Sequence, residues 1–207
     1  MGFGLVFAMS MFSLGMAISP GPVNMATVAS GANHGFVKTV PFLSGATFGL
    51  TVLLILIGFG LLTVIDSHPL FFEYLSVAGS AFIIYMGYKI ASSRPDLAVE
   101  KADTPDFIQG FMLQLLNPKA WIACASGVVS FSTPQSNGTL ITFIVIYSVI
   151  CFISLSAWAV LGDRVSALLN SAFRIRAFNL TMGGMLILTA CYLLSMQLPT
   201  PSVLSQS

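Results

Sequence analysis

Long apolar runs separated by short polar gaps set the pattern of this chain. The runs cover 3–32, 39–65, 70–92, 107–131, 138–161 and 177–198. Each is close to the 20 or so residues with which an α-helix crosses a hydrocarbon core about 30 Å thick. The pattern predicts an all-α membrane protein of six transmembrane helices, with short connections and no room for a soluble domain. One gap is longer and more polar than the rest. Residues 93–106 gather Arg94, Asp96, Glu100, Lys101, Asp103 and Asp106 with Pro95 and Pro105, and read as a solvated linker. They divide one membrane domain, 1–207, into a first half of about 1–92 and a second of about 107–198.

The first run, Phe3 to Ile18, has no Lys or Arg ahead of it, the first being Lys38, and Pro20 and Pro22 follow directly. It reads as a retained span rather than a cleaved signal peptide. Composition agrees with a membrane setting: 56% of residues are hydrophobic and 7% charged. A mean hydropathy of +0.92 lies well outside the range of soluble domains. No basic patch suggests nucleic acid as a partner. Cys124, Cys151 and Cys191 form an odd set inside apolar segments, which is no disulfide framework and suits small apolar filling. No His, Cys, Asp and Glu cluster has metal-ligand spacing, so neither metal nor cofactor is expected.

Charge placement then sets the orientation. Seven of the eight Lys and Arg fall in three alternate gaps: Lys38; Lys89, Arg94 and Lys101; Arg164, Arg174 and Arg176. The gap after the second run holds only Asp66 and His68, and the gap after the fourth holds no charge. Cytoplasmic loops carry the excess of Lys and Arg, so both termini are expected outside. With three spans per half, the halves enter the bilayer from opposite sides and form inverted repeats, as in many secondary transporters. Short matches support this. Gly31 follows Pro22 by nine residues and Gly127 follows Pro118 by nine; Tyr88 follows Gly79, and Tyr192 follows Gly183, at the same spacing.

The eighth cation, Lys119, lies inside the fourth run, beside a proline. Proline cannot continue a helix from its interior but suits the first helical position, and Ser or Asn caps it well. Ser19-Pro20-Gly21-Pro22 and Asn117-Pro118-Lys119 therefore both read as helix starts set within spans, so the first helix of each half is expected to be broken. Lys119 lies twelve residues beyond Phe107, roughly 18 Å along a helix and near the middle of the core. Two half-helix N-termini and a lysine at that depth would suit a carboxylate, and no Asp or Glu lies deep in any span to pair with the lysine. A proline kink that only bends its span, and a lysine that snorkels to an interface, are the alternatives. Asn24, a half-turn past Pro22, is either a substrate contact or a helix-to-helix hydrogen bond. His34 reads as a solvated loop residue. The glycines Gly45, Gly49, Gly58, Gly60, Gly79, Gly87, Gly183 and Gly184 read as close-packing positions, with Gly45-x-x-x-Gly49 suited to either an intra-bundle contact or a homodimer seam.

At these residues the chain resembles the LysE/RhtB family of bacterial amino-acid exporters. The likeness rests on Ser19-Pro20-Gly21-Pro22-Val23-Asn24 with His34-Gly35-Phe36, on the run Gly79 to Lys89, and on Leu116-Asn117-Pro118-Lys119-Ala120. It keeps motif order and spacing over nearly the whole chain. The resemblance implies a secondary exporter of amino acids in the bacterial inner membrane, driven by protons as an antiporter. It places Ser19, Pro20, Gly21, Pro22, Asn24, Asn117, Pro118 and Lys119 at the substrate. Many members carry an acidic residue in the fifth span, whereas Ile153 to Trp158 here offers only Ser154 and Ser156. That departure argues against a cationic substrate and for a small neutral amino acid, nearest the branch exporting cysteine and O-acetylserine. A non-transporting scaffold subunit is the competing reading. A thiol redox relay lacks its second cysteine, because Val28 stands at the position matching Cys124.

Overall fold

The computed structural model describes residues 2–61, 70–93, 105–131, 137–169 and 171–197, and all its regular elements are helical. They are α1 (Phe3–Ile18), α2 (Pro22–His34), α3 (Phe36–Leu56), α4 (Phe71–Ser92), α5 (Phe107–Leu115), α6 (Pro118–Phe131), α7 (Asn137–Ser166) and α8 (Ala172–Gln197). Four stretches are long and apolar enough to cross a membrane: Phe36–Gly60, Glu73–Ser92, Asn137–Ser166 and Ala172–Ser195. A fifth is the pair α1 and α2, which meet at a 63° bend. The predicted span 107–131 is two short helices of 9 and 14 residues, neither of which reaches span length alone.

Several boundaries differ from the sequence expectation, and the reasons are local. The gap between the first two runs shrinks to one residue, Gly35, whose φ of +81° is the left-handed turn that glycine takes without a Cβ penalty. His34 is consequently the half-buried last residue of α2 rather than a loop residue. Lys38, Lys89, Arg174 and Arg176 lie on helix ends instead of in loops. Arg176 donates from Nη1 to the Ala91 carbonyl at 2.8 Å, tying the start of α8 to the end of α4. Asp106, assigned to the linker, caps α5 by accepting the Gln109 N–H at 2.8 Å. Arg94, Asp96, Glu100, Lys101 and Asp103, like Asp66 and His68, lie outside the described residues.

The main helix contacts join one half of the chain to the other. α4 packs along α8, α3 along α5, and α2 along α7. Glycines make this possible by letting backbones touch. A Cβ on Gly31 would fall on the Ala159 carbonyl and one on Gly162 on the Val28 carbonyl, a reciprocal pair between α2 and α7. Gly45 and Gly110 stand in the same relation to the carbonyls of Phe107 and Phe42, between α3 and α5. Gly87 and Gly183 face each other across α4 and α8. Gly49 also faces α5, so the Gly45–Gly49 face is an intra-bundle contact rather than a homodimer seam. Gly184 and Gly60 have open space around them, against expectation; Gly60, at φ +107°, serves the turn that ends α3.

The α3–α5 glycine contact lies midway along α3, while the α2–α7 contact lies at the end of the bundle that holds the Gly35 turn. The same end carries a reciprocal amide pair, in which Asn33 donates to Asn179 Oδ1 at 2.7 Å and Asn179 donates to Asn33 Oδ1 at 2.9 Å. Toward the opposite end of α1, α6 and α7 lie rings: Phe12, Phe131, Phe143 and Tyr147 meet in edge-on and tilted pairs at centroid distances of 5.1 to 6.2 Å. The outer surface is apolar, with Val129 76% and Leu188 70% exposed, as a lipid-facing surface requires.

Candidate functional site

Both proline motifs do break their helices. Pro20 and Pro22 each push the residue before them out of the helical region, so Ser19 (ψ 134°) and Gly21 (φ −169°, ψ 176°) are extended and the chain leaves the helix for three residues. α2 restarts at Pro22, in the first helical position, where its missing N–H costs nothing. Ser19 is therefore not the cap that its place before Pro20 suggests, because the second proline moves the helix start on by two residues. Its hydroxyl instead donates to the Met16 carbonyl at 3.0 Å. Two further carbonyls at the break share one side-chain donor. Asn24 Nδ2 reaches Ala17 O at 2.9 Å and Ser19 O at 3.3 Å. Asn24 is thus an internal splint across the break, and buried.

The second break is shorter. Leu116 and Asn117 leave the helix, and Asn117 Oδ1 accepts the Lys119 backbone N–H at 3.1 Å, the cap expected before Pro118. Trp121 Nε1 donates to the last carbonyl of α5, Leu115 O, at 2.7 Å. Here an indole does for α5 what the Asn24 amide does for α1.

Lys119 joins the two breaks. Its ammonium donates to Ser19 O and Ser19 Oγ, both at 2.7 Å, and to Pro20 O at 3.2 Å. An ammonium has three hydrogens, so all are engaged, and every acceptor is neutral. The lysine partner that the sequence left open is the unwound backbone of the first half. Gly21 lies under the same side chain: a Cβ there would come within 3.2 Å of Nζ.

A cavity opens beside this junction, lined from both halves by Gly21, Asn24, Asn117 and Lys119 among others. Ser19 borders it through its bonds to Lys119, Pro22 is buried behind, and Pro20 and Pro118 shape the breaks without lining it. Its remaining wall is largely apolar, from Leu50, Ala120, Ala123 and Leu155, and no Asp or Glu among the described residues lines it. Two polar members escaped the sequence reading. Gln114, 6% exposed, comes from α5, and Tyr147, 3% exposed, from α7. Gln114 stands three residues before Asn117, one helical turn away, and was findable as a polar residue on the inward face of the break. Tyr147 gave no signal, because α7 is apolar all round and its inward face cannot be read from spacing. Cys151 also lines the cavity and Cys124 is buried nearby, while Cys191 is exposed; all three are free.

A lysine bonded to an unwound segment a hundred residues earlier draws on both halves of the chain, and similarity extends over most of the chain. The family model for the LysE type translocator matches residues 14–197. The chain belongs to the LysE type translocator family. A homoserine/homoserine lactone efflux protein of Salmonella typhimurium is 27% identical over 203 residues, covering 94% of this chain and 98% of that protein. A cysteine/O-acetylserine efflux protein of Escherichia coli K12 is 32% identical over 135 residues, 64% of this chain and 68% of that protein. No solved structure matches the translocator. Members of the family are efflux transporters, not enzymes, and this translocator is a multi-pass protein of the bacterial inner membrane.

Proposed function

We propose that this translocator exports a small neutral amino acid from the cytoplasm by alternating access, as a secondary exporter driven by protons. The observation that carries this reading is the Lys119 ammonium, held on neutral backbone oxygens at the wall of a cavity that both broken helices line. A charge bonded only to neutral partners in a low-dielectric setting attracts an anion strongly. The substrate carboxylate takes Lys119 Nζ and draws it from the first break. The Ser19 and Pro20 carbonyls so released then receive the substrate's α-ammonium. A zwitterion thus replaces one internal contact with two, while a substrate with a cationic side chain finds no carboxylate on the described cavity wall. The empty space is about 40 Å³, enough for a few water molecules, so binding requires the helices around the cavity to part.

The six crossings form two inverted three-helix repeats, each opened by a broken span, α1–α2 and α5–α6, with both termini outside. In favour of that orientation, Lys38, Lys89, Arg164, Arg174 and Arg176 all sit at the Gly35 end, which is then cytoplasmic. Backbone-to-backbone glycine packing joins α2 to α7 at that end, and the other end includes the rings of Phe12, Phe131, Phe143 and Tyr147 together with Leu140 against Gly58. The stretch of α7 from Asn137 to Gly162 holds no carboxylate for proton transfer, Asp163 lying at its Gly35 end; the stretch instead holds Ser154 and Ser156 hydroxyls buried without hydrogen-bond partners.

The test is efflux of labelled amino acids from cells loaded with dipeptides, comparing the native chain with Lys119→Ala at equal membrane abundance. Accelerated efflux of one or a few neutral amino acids, lost in the variant, is the expected result. Efflux retained in the variant rejects the site, and efflux from neither strain rejects export and favours a scaffold role.

A further inference from the structure

The polar groups on the cavity wall divide into those already committed and those that are not. Asn24 donates to Ala17 and Ser19, Asn117 caps α6, and the three hydrogens of Lys119 are taken. Gln114 and Tyr147 differ. Both are more than nine-tenths buried, both line the cavity, and neither side chain has a hydrogen-bond partner among the described residues. Neither is among the polar atoms sealed inside protein without a partner, so the Gln114 amide and the Tyr147 hydroxyl are accessible from the cavity and can bond what enters it. The two come from α5 and α7. Tyr147 is fixed by its ring contacts with Phe12 and Phe143 at 6.2 and 5.7 Å, and Gln114 by the close approach of α5 to Gly49.

Resting on the export reading above, we infer that Gln114 and Tyr147 form the side-chain subsite of the cavity and select an amino acid with a short hydroxylated side chain. An amide and a phenol each both donate and accept, and a hydroxyl is the small uncharged group that does both in return. A thiol is a weaker partner on both counts, and an aliphatic side chain would leave both protein groups unpaired. Sites built to bond a substrate hydroxyl reject the analogue lacking it far more strongly than apolar pockets reject an added methylene. The surrounding Leu50, Ala123 and Leu155 supply shape and exclude water, and selection falls to the two polar groups.

The full-length translocator in proteoliposomes, offered labelled serine and alanine together, and separately homoserine and 2-aminobutyrate, reads the selectivity directly. The native chain should favour the hydroxylated member of each pair. Gln114→Leu should lower that ratio by about tenfold or more, the scale on which an unpaired polar group discriminates. Tyr147→Phe, which removes one oxygen and keeps the ring packing, should lower it by less but in the same direction. Gln114→Glu, nearly the same shape, should begin to carry 2,4-diaminobutyrate, because a carboxylate then faces the side chain. A native chain that does not favour the hydroxylated member, or ratios unchanged in both Gln114→Leu and Tyr147→Phe, would overturn the subsite while leaving export in place. Transport of no amino acid by the native chain would overturn the export reading itself.

Discussion

At the α1–α2 break three residues leave the helix, and no side chain caps the restart; at the α5–α6 break two residues leave it, and Asn117 caps the restart at once. The difference comes from one extra proline. Pro-Gly-Pro extends the residue before each ring and so exposes the carbonyls of Ser19 and Pro20, while a single Asn-Pro returns the chain to helix with its polar groups already paired. The second break is self-contained and brings a cation; the first is open and offers acceptors. Lys119 fits one to the other. Two similar sequence signals thus give complementary halves of one junction, and the open half is where a substrate can compete.

The sharpest way to break this complementarity is Lys119→Met, which keeps the length of the side chain and removes its charge. Export should fall about 100-fold, toward the lower end of what losing one partner of a buried charged contact costs. Stability should barely move, because the lost hydrogen bonds are offset by relief from holding an uncompensated charge away from water. SDS titration of the purified protein in mixed micelles, set beside efflux at matched abundance, separates the two effects. A large stability loss with export intact would make Lys119 a structural clasp and no more.

Asn24→Ala should show the reverse weighting. It leaves Ala17 O without its side-chain donor, at about 1–3 kcal/mol of stability for a buried group left unpaired. Lys119 still binds Ser19 O, so the cavity survives and export of the folded fraction should drop only a few-fold. Equal losses of export per folded molecule in Asn24→Ala and Lys119→Met would erase the distinction between splint and binding group.

The helical class, the membrane setting and both break points were legible in the sequence, because apolar run length and proline each have one strong physical consequence. What proline could not reveal was which of two prolines restarts the helix, so Ser19 was read as a cap when it is an acceptor for Lys119. The lysine's partner was hidden for a different reason: Ser19 and Lys119 are a hundred residues apart, and a backbone carbonyl leaves no mark in the residue types. Gly35 shows the same limit at a boundary. A six-residue polar gap looked like a loop, but one glycine at positive φ turns the chain and the helices take up the rest. Gln114 was visible as a residue and overlooked as a site, since its importance lies in having no partner, and that is a property of the packed molecule.

The smallest effect belongs to the cap of the second break. Asn117→Ala removes the acceptor for the Lys119 backbone N–H and should cost about 1 kcal/mol, as lost caps do. Asn117→Asp restores the acceptor and should recover that stability. It also sets a carboxylate two residues from Lys119 on the cavity wall, where it competes with the substrate for the ammonium. The pair therefore separates folding from binding at a single position: the alanine variant should be less stable but transport with its native substrate affinity per folded molecule, while the aspartate variant should be as stable as the native chain and transport with a clearly raised KM. If Asn117→Asp instead transports with native KM, the substrate carboxylate does not meet Lys119 beside Asn117, and the complementary junction is a packing device whose cavity serves no ligand.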